Sequence, residues 1–178
     1  NPQNDQVNIN NLSQIKVASQ RNLFDEYAGV DSCDLYHTEI EKIRPHVYET
    51  IANNHKKPFF LKIHDALIKL DNKEFIVSKK ASRGIIYVIR NPLDVVVSAA
   101  HFKNESFNTI IKEMADLDNI SFKSTTKLST QIPQRFLSWS EHVKSWINQN
   151  EIPVLVVRYE DLLLHPFSTF KKIIEFLG

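Results

Sequence analysis

Gly84-Ile85-Ile86-Tyr87-Val88-Ile89-Arg90-Asn91-Pro92-Leu93-Asp94 is the stretch on which the reading of the fold turns. Five consecutive apolar, mostly β-branched residues predict a strand buried on both faces, as in a parallel sheet. The run stops abruptly at Arg90. Asn91 suits a helix N-cap, Pro92 the first helical position and Asp94 the first turn, where the helix dipole favours a carboxylate. Beyond it Leu93, Val96, Val97 and Ala100 recur at i, i+3, i+4 and i+7, a stripe expected to face the core, with Asp94, Ser98 and His101 on the other side. Strand, sharp turn and helix make half of a βαβ unit.

Further along the chain, Pro153-Val154-Leu155-Val156-Val157-Arg158-Tyr159 repeats the pattern of a fully buried strand, and Pro58 to Ile63 reads as a third, ending at His64-Asp65. Helices are expected over Leu35–Asn54 (Pro45 in a first turn), Phe107–Leu117, Gln134–Asn150 and Pro166–Leu177. The stripe of the third is Phe136, Trp139, Val143, Trp146 and Ile147. The last carries Phe167, Phe170, Ile174 and Leu177 on one face and stops at Gly178. Residues 1–22, rich in Asn and Gln, read as loop. Residues 118–133 lack a period and read as an irregular segment, mobile or functional, on the substrate side. Alternating strands and helices predict an α/β class with a mainly parallel β-sheet flanked by helices, in one domain over residues 1–178.

A chain of 178 residues with 42% hydrophobic and 24% charged residues has ordinary globular composition. Its net charge of +1 supplies no global field for nucleic acid or an anionic membrane, so neither is expected as a partner. Any anion site has to be local. Cys33 is the one cysteine, which excludes an internal disulfide framework and a thiolate zinc cluster. No apolar run approaches the roughly 18 residues of a membrane span, and Asn1–Asn11 lack the order of a signal peptide. A reducing, cytoplasmic setting is the expectation.

In an open parallel sheet, ligands bind beyond the carboxyl ends of the strands. Three such ends carry polar groups: Lys62 to Asp65, Arg90-Asn91, and Arg158 to Asp161. One crevice lined by Lys62, His64, Arg90, Ser98 and Tyr159 is the expected site. A guanidinium between a strand and a helix N-terminus suits a phosphate dianion. The same Arg90 could instead cap the sheet and pair with Asp94, and the spacing leaves both open.

The segment Ile86-Tyr87-Val88-Ile89-Arg90-Asn91-Pro92-Leu93-Asp94-Val95-Val96-Val97-Ser98-Ala99-Ala100-His101-Phe102 resembles the 3′-phosphate-binding segment of sulfotransferases that use 3′-phosphoadenosine-5′-phosphosulfate (PAPS). The resemblance implies that Arg90 and Ser98 bind that phosphate. Phe60-Leu61-Lys62-Ile63-His64 is similar to the family strand ending Lys-Thr-His, with Ile63 in place of Thr, which implies His64 as general base and Lys62 as its cationic companion. Val154 to Leu162, then His165-Pro166 and Ile174 to Gly178, look like the family's late strand and helix, and imply Tyr159 on the adenine side. Glu160 and Asp161 read as loop-holding acids. Ser138-Trp139 and His142 to Trp146 resemble the preceding helix, its tryptophans read as core. The resemblance runs over residues 58–178 and more thinly over 35–57. It implies a P-loop-NTPase-like sulfotransferase fold, PAPS as co-substrate with the bisphosphate PAP as product, no metal, and a small-molecule acceptor.

The family's Gly-containing loop for the 5′-phosphosulfate and its C-terminal basic segment have no counterpart here; only Gly29, Gly84 and Gly178 occur. The fold is therefore expected to be incomplete at both ends, and the intact polypeptide to exceed 20.7 kDa. Two other readings stand beside the enzyme: a nucleotide-kinase-like phosphotransferase, which needs a Walker-type loop and Mg²⁺ ligands, and an inactive nucleotide-binding or interaction module. Acceptor identity and oligomeric state are not legible.

Overall fold

A computed structural model describes residues 16–56, 59–123 and 129–178. The expected central unit is present. Strand β3 (Ile85–Ile89) leads directly into helix α3 (Pro92–Lys103), with the Asn91 side chain accepting from the Leu93 N–H at 3.0 Å. Asn104 ends the helix in the left-handed region (φ 55°), a conformation asparagine tolerates better than most residues. β3 pairs in parallel with β6 (Val154–Arg158), Ile85 opposite Val154 and Ile89 opposite Arg158. A second parallel pair joins β1 (Lys16–Val17) to β2 (Leu61–Lys62). β4 (Ile120–Ser121) and β5 (Gln134–Arg135) pair antiparallel. The helices are α1 (Arg21–Ala28), α2 (His37–Asn54), α4 (Phe107–Ala115), α5 (Trp139–Ile147), α6 (Tyr159–Leu164) and α7 (Pro166–Leu177). The class is α/β with parallel strands and flanking helices, as expected.

Several local expectations are corrected. Pro45 lies in the interior of α2, not its first turn. The helix begins eight residues earlier because the Glu39 carboxylate accepts from the Tyr36 N–H at 2.7 Å and anchors the first turn. The loop read at residues 1–22 gives way to β1 and α1 over the part described. The helix expected from Gln134 starts only at Trp139: Gln134-Arg135 pair with β4, and the Ser138 hydroxyl caps α5 by accepting from Glu141 N–H. Tyr159 opens α6 and does not close β6. The segment 118–133 is not wholly irregular. It contains β4, and Ile132 is completely buried; residues 124–128 lie outside those described.

The core has two centres. One gathers Leu23, Phe24, Ile40, Val47, Ile51 and Ile132 under α1 and α2. The other gathers Leu67, Ile76, Val77, Trp146 and Ile152 against Ile85 and Tyr87 of β3. Ile63 packs against both, so the position where the family strand has Thr serves here as an apolar joint. The alternating residues Val88 and Val156 are about half exposed, which corrects the reading of both strands as buried on two faces. The α3 stripe is corrected in the same way: Ala100 is buried, but Leu93 and Val97 are exposed. Phe167, Phe170 and Ile174 of α7 are exposed too. Periodicity identifies an apolar face; it does not supply the element that covers it. At the start of β3 the packing is close. A Cβ on Gly84 would lie 2.9 Å from the Phe176 ring of α7, so a side chain there requires that ring to move.

Candidate functional site

Arg90 and Tyr159 meet because β3 and β6 run in parallel register. With Ile89 opposite Arg158, the next residue of each strand leaves the sheet at the same end. The Arg90 guanidinium lies over the Tyr159 ring, 4.8 Å from its centroid. Its Nε is buried and has no hydrogen-bond partner among the described residues. The pairing with Asp94 that spacing allowed is absent among the described ion pairs. A buried guanidinium N–H without an acceptor is costly, and it suits an anionic ligand at this spot. Glu160 reaches across the same end: its carboxylate accepts from the Asn91 N–H at 2.8 Å, the main reason its pKa sits below the usual carboxylate value. It ties the turn after β3 to the start of α6, the loop-holding role read from the sequence. Ser98 sits further along α3 on an exposed face, with no side-chain hydrogen bond among the described residues.

His64 and Lys62 stand at the carboxyl end of β2, which pairs with β1 and is not bonded to β3 among the described residues. One side chain links this end to the neighbouring strand. His142, on α5, has Nε2 3.1 Å from the His64 carbonyl and Nδ1 3.0 Å from the Tyr87 hydroxyl. A carbonyl can only accept, so in neutral His142 the proton is on Nε2 and the tyrosine donates to Nδ1. The Tyr87 ring stacks on both His142 and Trp146. Burial raises its phenol pKa to about 12, so the hydroxyl stays protonated.

The next residue, Asp65, is the anchor. It is 1% exposed and takes a bidentate pair from the fully buried Arg44, at 2.9 and 2.6 Å. It also accepts from the Arg135 N–H at 2.8 Å, and its carbonyl accepts from the Trp146 indole at 3.2 Å. Arg44 bonds the Tyr48 hydroxyl as well. The backbone on which His64 is mounted is thereby held from α2, β5 and α5 together. The His64 ring is half-buried, and its Nδ1 lies 3.1 Å from Gln134 Oε1. Burial, and secondarily the Lys62 ammonium, pull its pKa below the ordinary 6.5; burial does the same to His142. At neutral pH both rings are uncharged.

Those directions make stability depend on pH. Below 6.5 the unfolded chain takes up protons that the folded chain resists, so stability is complete above 6.5 and is lost as pH falls toward the depressed folded values. The expected result is a Tm that drops between pH 7.5 and pH 5.5, with a shallower drop in His142→Gln. An identical pH slope in that variant would show that His142 contributes nothing to it.

The structure therefore brings Arg90 together with Tyr159, and sets His64 and Lys62 at the end of a second strand pair joined to β3 through His142. Ser98 hydrogen-bonds to none of them among the described residues. Gln134 and His142 carried no assigned role in the sequence, because their partners lie 70 and 78 residues away. Among the described residues no group of three His, Cys, Asp or Glu is placed to hold a metal ion, and no helix is long and apolar enough to cross a membrane.

The chain is 35% identical over 104 residues to rat (Rattus norvegicus) sulfotransferase 2A6, covering 58% of this chain and 34% of that protein. It is 36% identical over 114 residues to 3-alpha-hydroxysteroid sulfotransferase of Cavia porcellus, covering 60% and 34%. A solved structure of mouse sulfotransferase SULT7A1 complexed with PAP is 23% identical with a TM-score of 0.47, covering 73% of this chain and 44% of that one. The matched part spans about a third of the length of these curated relatives. The sulfotransferase domain model matches residues 6–178, which takes in both strand pairs and every polar strand end described above, and on that match the chain belongs to the sulfotransferase family.

Proposed function

We propose that this chain is the part of a PAPS-dependent sulfotransferase that binds the nucleotide's 3′-phosphate and carries the general base. The observation that carries the reading is the buried, unpartnered Nε of Arg90, set over the Tyr159 ring at the shared end of two parallel strands. A 3′-phosphate supplies the acceptor that this N–H lacks, with Ser98 closing on it from α3. Tyr159 offers the adenine an aromatic wall. Kinship with proteins named as sulfotransferases, one of them a 3-alpha-hydroxysteroid sulfotransferase, supports a small-molecule acceptor. Residues 1–178 form one domain in this reading. A reducing, cytoplasmic setting is consistent with the single, exposed Cys33. Neither nucleic acid nor a membrane is needed as a partner.

The chemistry is a displacement at sulfur. His64 Nε2 takes the proton of the acceptor hydroxyl or amine as that atom bonds to sulfur. The bond between sulfur and the bridging phosphate oxygen breaks, and PAP leaves with the electron pair. His64, held neutral near pH 7 by burial and by Lys62, is in the form able to accept. Lys62, exposed at the end of β2, offsets charge on the transferring group.

The test is nucleotide binding. PAP is expected to raise the Tm of the protein where ATP at equal concentration does not. Arg90→Ala should weaken PAP binding by about ten- to a hundredfold, the range of about 1.5–3 kcal/mol for hydrogen bonds to charged groups. Equal PAP affinity in Arg90→Ala and the parent protein sinks the assignment, and selective stabilisation by ATP turns it toward a phosphotransferase.

A further inference from the structure

Gln134 is the partner of the His64 ring, and it is unusually constrained for an amide side chain. It is 1% exposed, on β5, in a strand pair whose backbone is fixed by Ser121. Its Nε2 donates to Gln131 Oε1 at 2.9 Å, and the same Oε1 accepts from the Ser19 hydroxyl at 2.8 Å. Ser19 is itself buried. With the amide nitrogen committed to Gln131, the end of Gln134 that faces His64 is the carbonyl oxygen, 3.1 Å from Nδ1. An oxygen can only accept, so the neutral ring carries its proton on Nδ1 and the lone pair on Nε2.

We propose that Gln134 is a positioning residue for sulfuryl transfer: through the chain Ser19–Gln131–Gln134 it fixes the Nδ1–H tautomer of His64 and turns Nε2 toward the acceptor. The proposal rests on the reading of His64 as the general base. A base must present a lone pair to the proton it removes, and a neutral imidazole has one lone pair only. Reversing both amides would put an N–H against Nδ1 and the proton on Nε2, where it blocks uptake. An apolar residue at 134 leaves Nδ1–H unbonded and the tautomer unselected. The other charged or titratable groups around the ring are Lys62 on β2, Asp65 next in the chain and His142 on α5. Among the described residues, none of these hydrogen-bonds to the His64 ring, which Gln134 alone engages.

The experiment is long-range ¹H–¹⁵N correlation of the histidine rings in the protein, with kinetics of Gln134→Leu and Gln134→Glu. The spectrum of the parent should show His64 protonated at Nδ1, and Gln134→Leu should lose that preference. At saturating PAPS, kcat of Gln134→Leu should fall by about ten- to a hundredfold, as for other groups that orient a reacting ligand through one hydrogen bond, with KM for PAPS unchanged. Gln134→Glu retains the acceptor and should recover most of the rate. The acid limbs of the pH profiles should move in opposite directions. Gln134's hydrogen bond raises the His64 pKa, so its loss in Gln134→Leu shifts the limb to lower pH, while the added carboxylate of Gln134→Glu shifts it higher. An Nε2–H ring in the parent protein overturns the proposal, as does a Gln134→Leu variant with unchanged kcat and unchanged spectrum. If His64 is not the base, His64→Ala keeps its turnover while the ring spectrum still responds to Gln134. The two failures are thereby separable.

Discussion

Replacing His64 by alanine is expected to lower turnover by about 10²–10⁴-fold, the usual weight of a positioned general base, while PAP affinity stays within about twofold of the parent. The ring has the attributes the role demands. It is half-buried and neutral at pH 7, and Nδ1 is engaged by Gln134. None of its described contacts is with Arg90 or Tyr159, so nucleotide binding at that end should survive the loss. The measurement is kcat at saturating PAPS alongside PAP titration by calorimetry. In the parent, the rate should rise with pH through an inflection below 6.5, since the deprotonated ring is the active form and its pKa is depressed. A fall in PAP affinity matching that of Arg90→Ala would overturn the division of labour. So would a turnover unchanged by the substitution.

The largest stability effect belongs to Asp65. Asp65→Ala removes the carboxylate from a bidentate pair in which both partners are essentially without solvent, leaving the Arg44 charge buried and uncompensated. Breaking such a pair costs about 3–5 kcal/mol. For a domain of this size that is a large share of the whole stability, and denaturant unfolding should show the midpoint falling with little change in slope. The double variant Arg44→Met, Asp65→Leu should regain part of the loss, because it removes the orphaned charge together with its partner. A single-variant cost below about 1 kcal/mol would mean that the pair carries no such weight. Because Asp65 also receives the Arg135 N–H, and adjoins His64, the destabilised protein should lose turnover as well.

Legibility followed the range of the interaction. The strand–turn–helix at Gly84–Asp94 could be read because each signal is local: β-branched residues, then Asn91 as cap, then Pro92 at the first turn. The corrected elements are those in which a distant partner overrode the local pattern. Gln134-Arg135 directly precede the apolar stripe of the helix that follows and read as its start, yet the backbone of Ile120-Ser121 holds them as a strand. Pro45 looked like a helix start, but the interactions that begin α2 lie at Tyr36 and Glu39, and the helix tolerates the proline inside. Of the candidate site, Arg90, His64 and Tyr159 stood out as polar residues at strand ends. Gln134 and His142 did not, since a glutamine or histidine beside a helix has no sequence signature of its partner.

By itself, then, the order of residues determined the α/β class, the presence of the two parallel strands at Ile85–Ile89 and around Val154–Arg158, the turn that presents Arg90 and the family to which the chain belongs. Those features follow from backbone propensity, capping and contiguous motif, all encoded within a few residues. Only the tertiary structure decided that Arg90 stacks on Tyr159 with an unpartnered Nε, that Asp65 is locked by Arg44, and that the His64 ring is held through Gln134. It also decided which apolar faces are covered, Ala100 but not Leu93. The physical reason is common to all four. Burial, tautomer and ion pairing depend on groups brought together from distant parts of the chain, and short-range pattern carries no record of which distant group arrives.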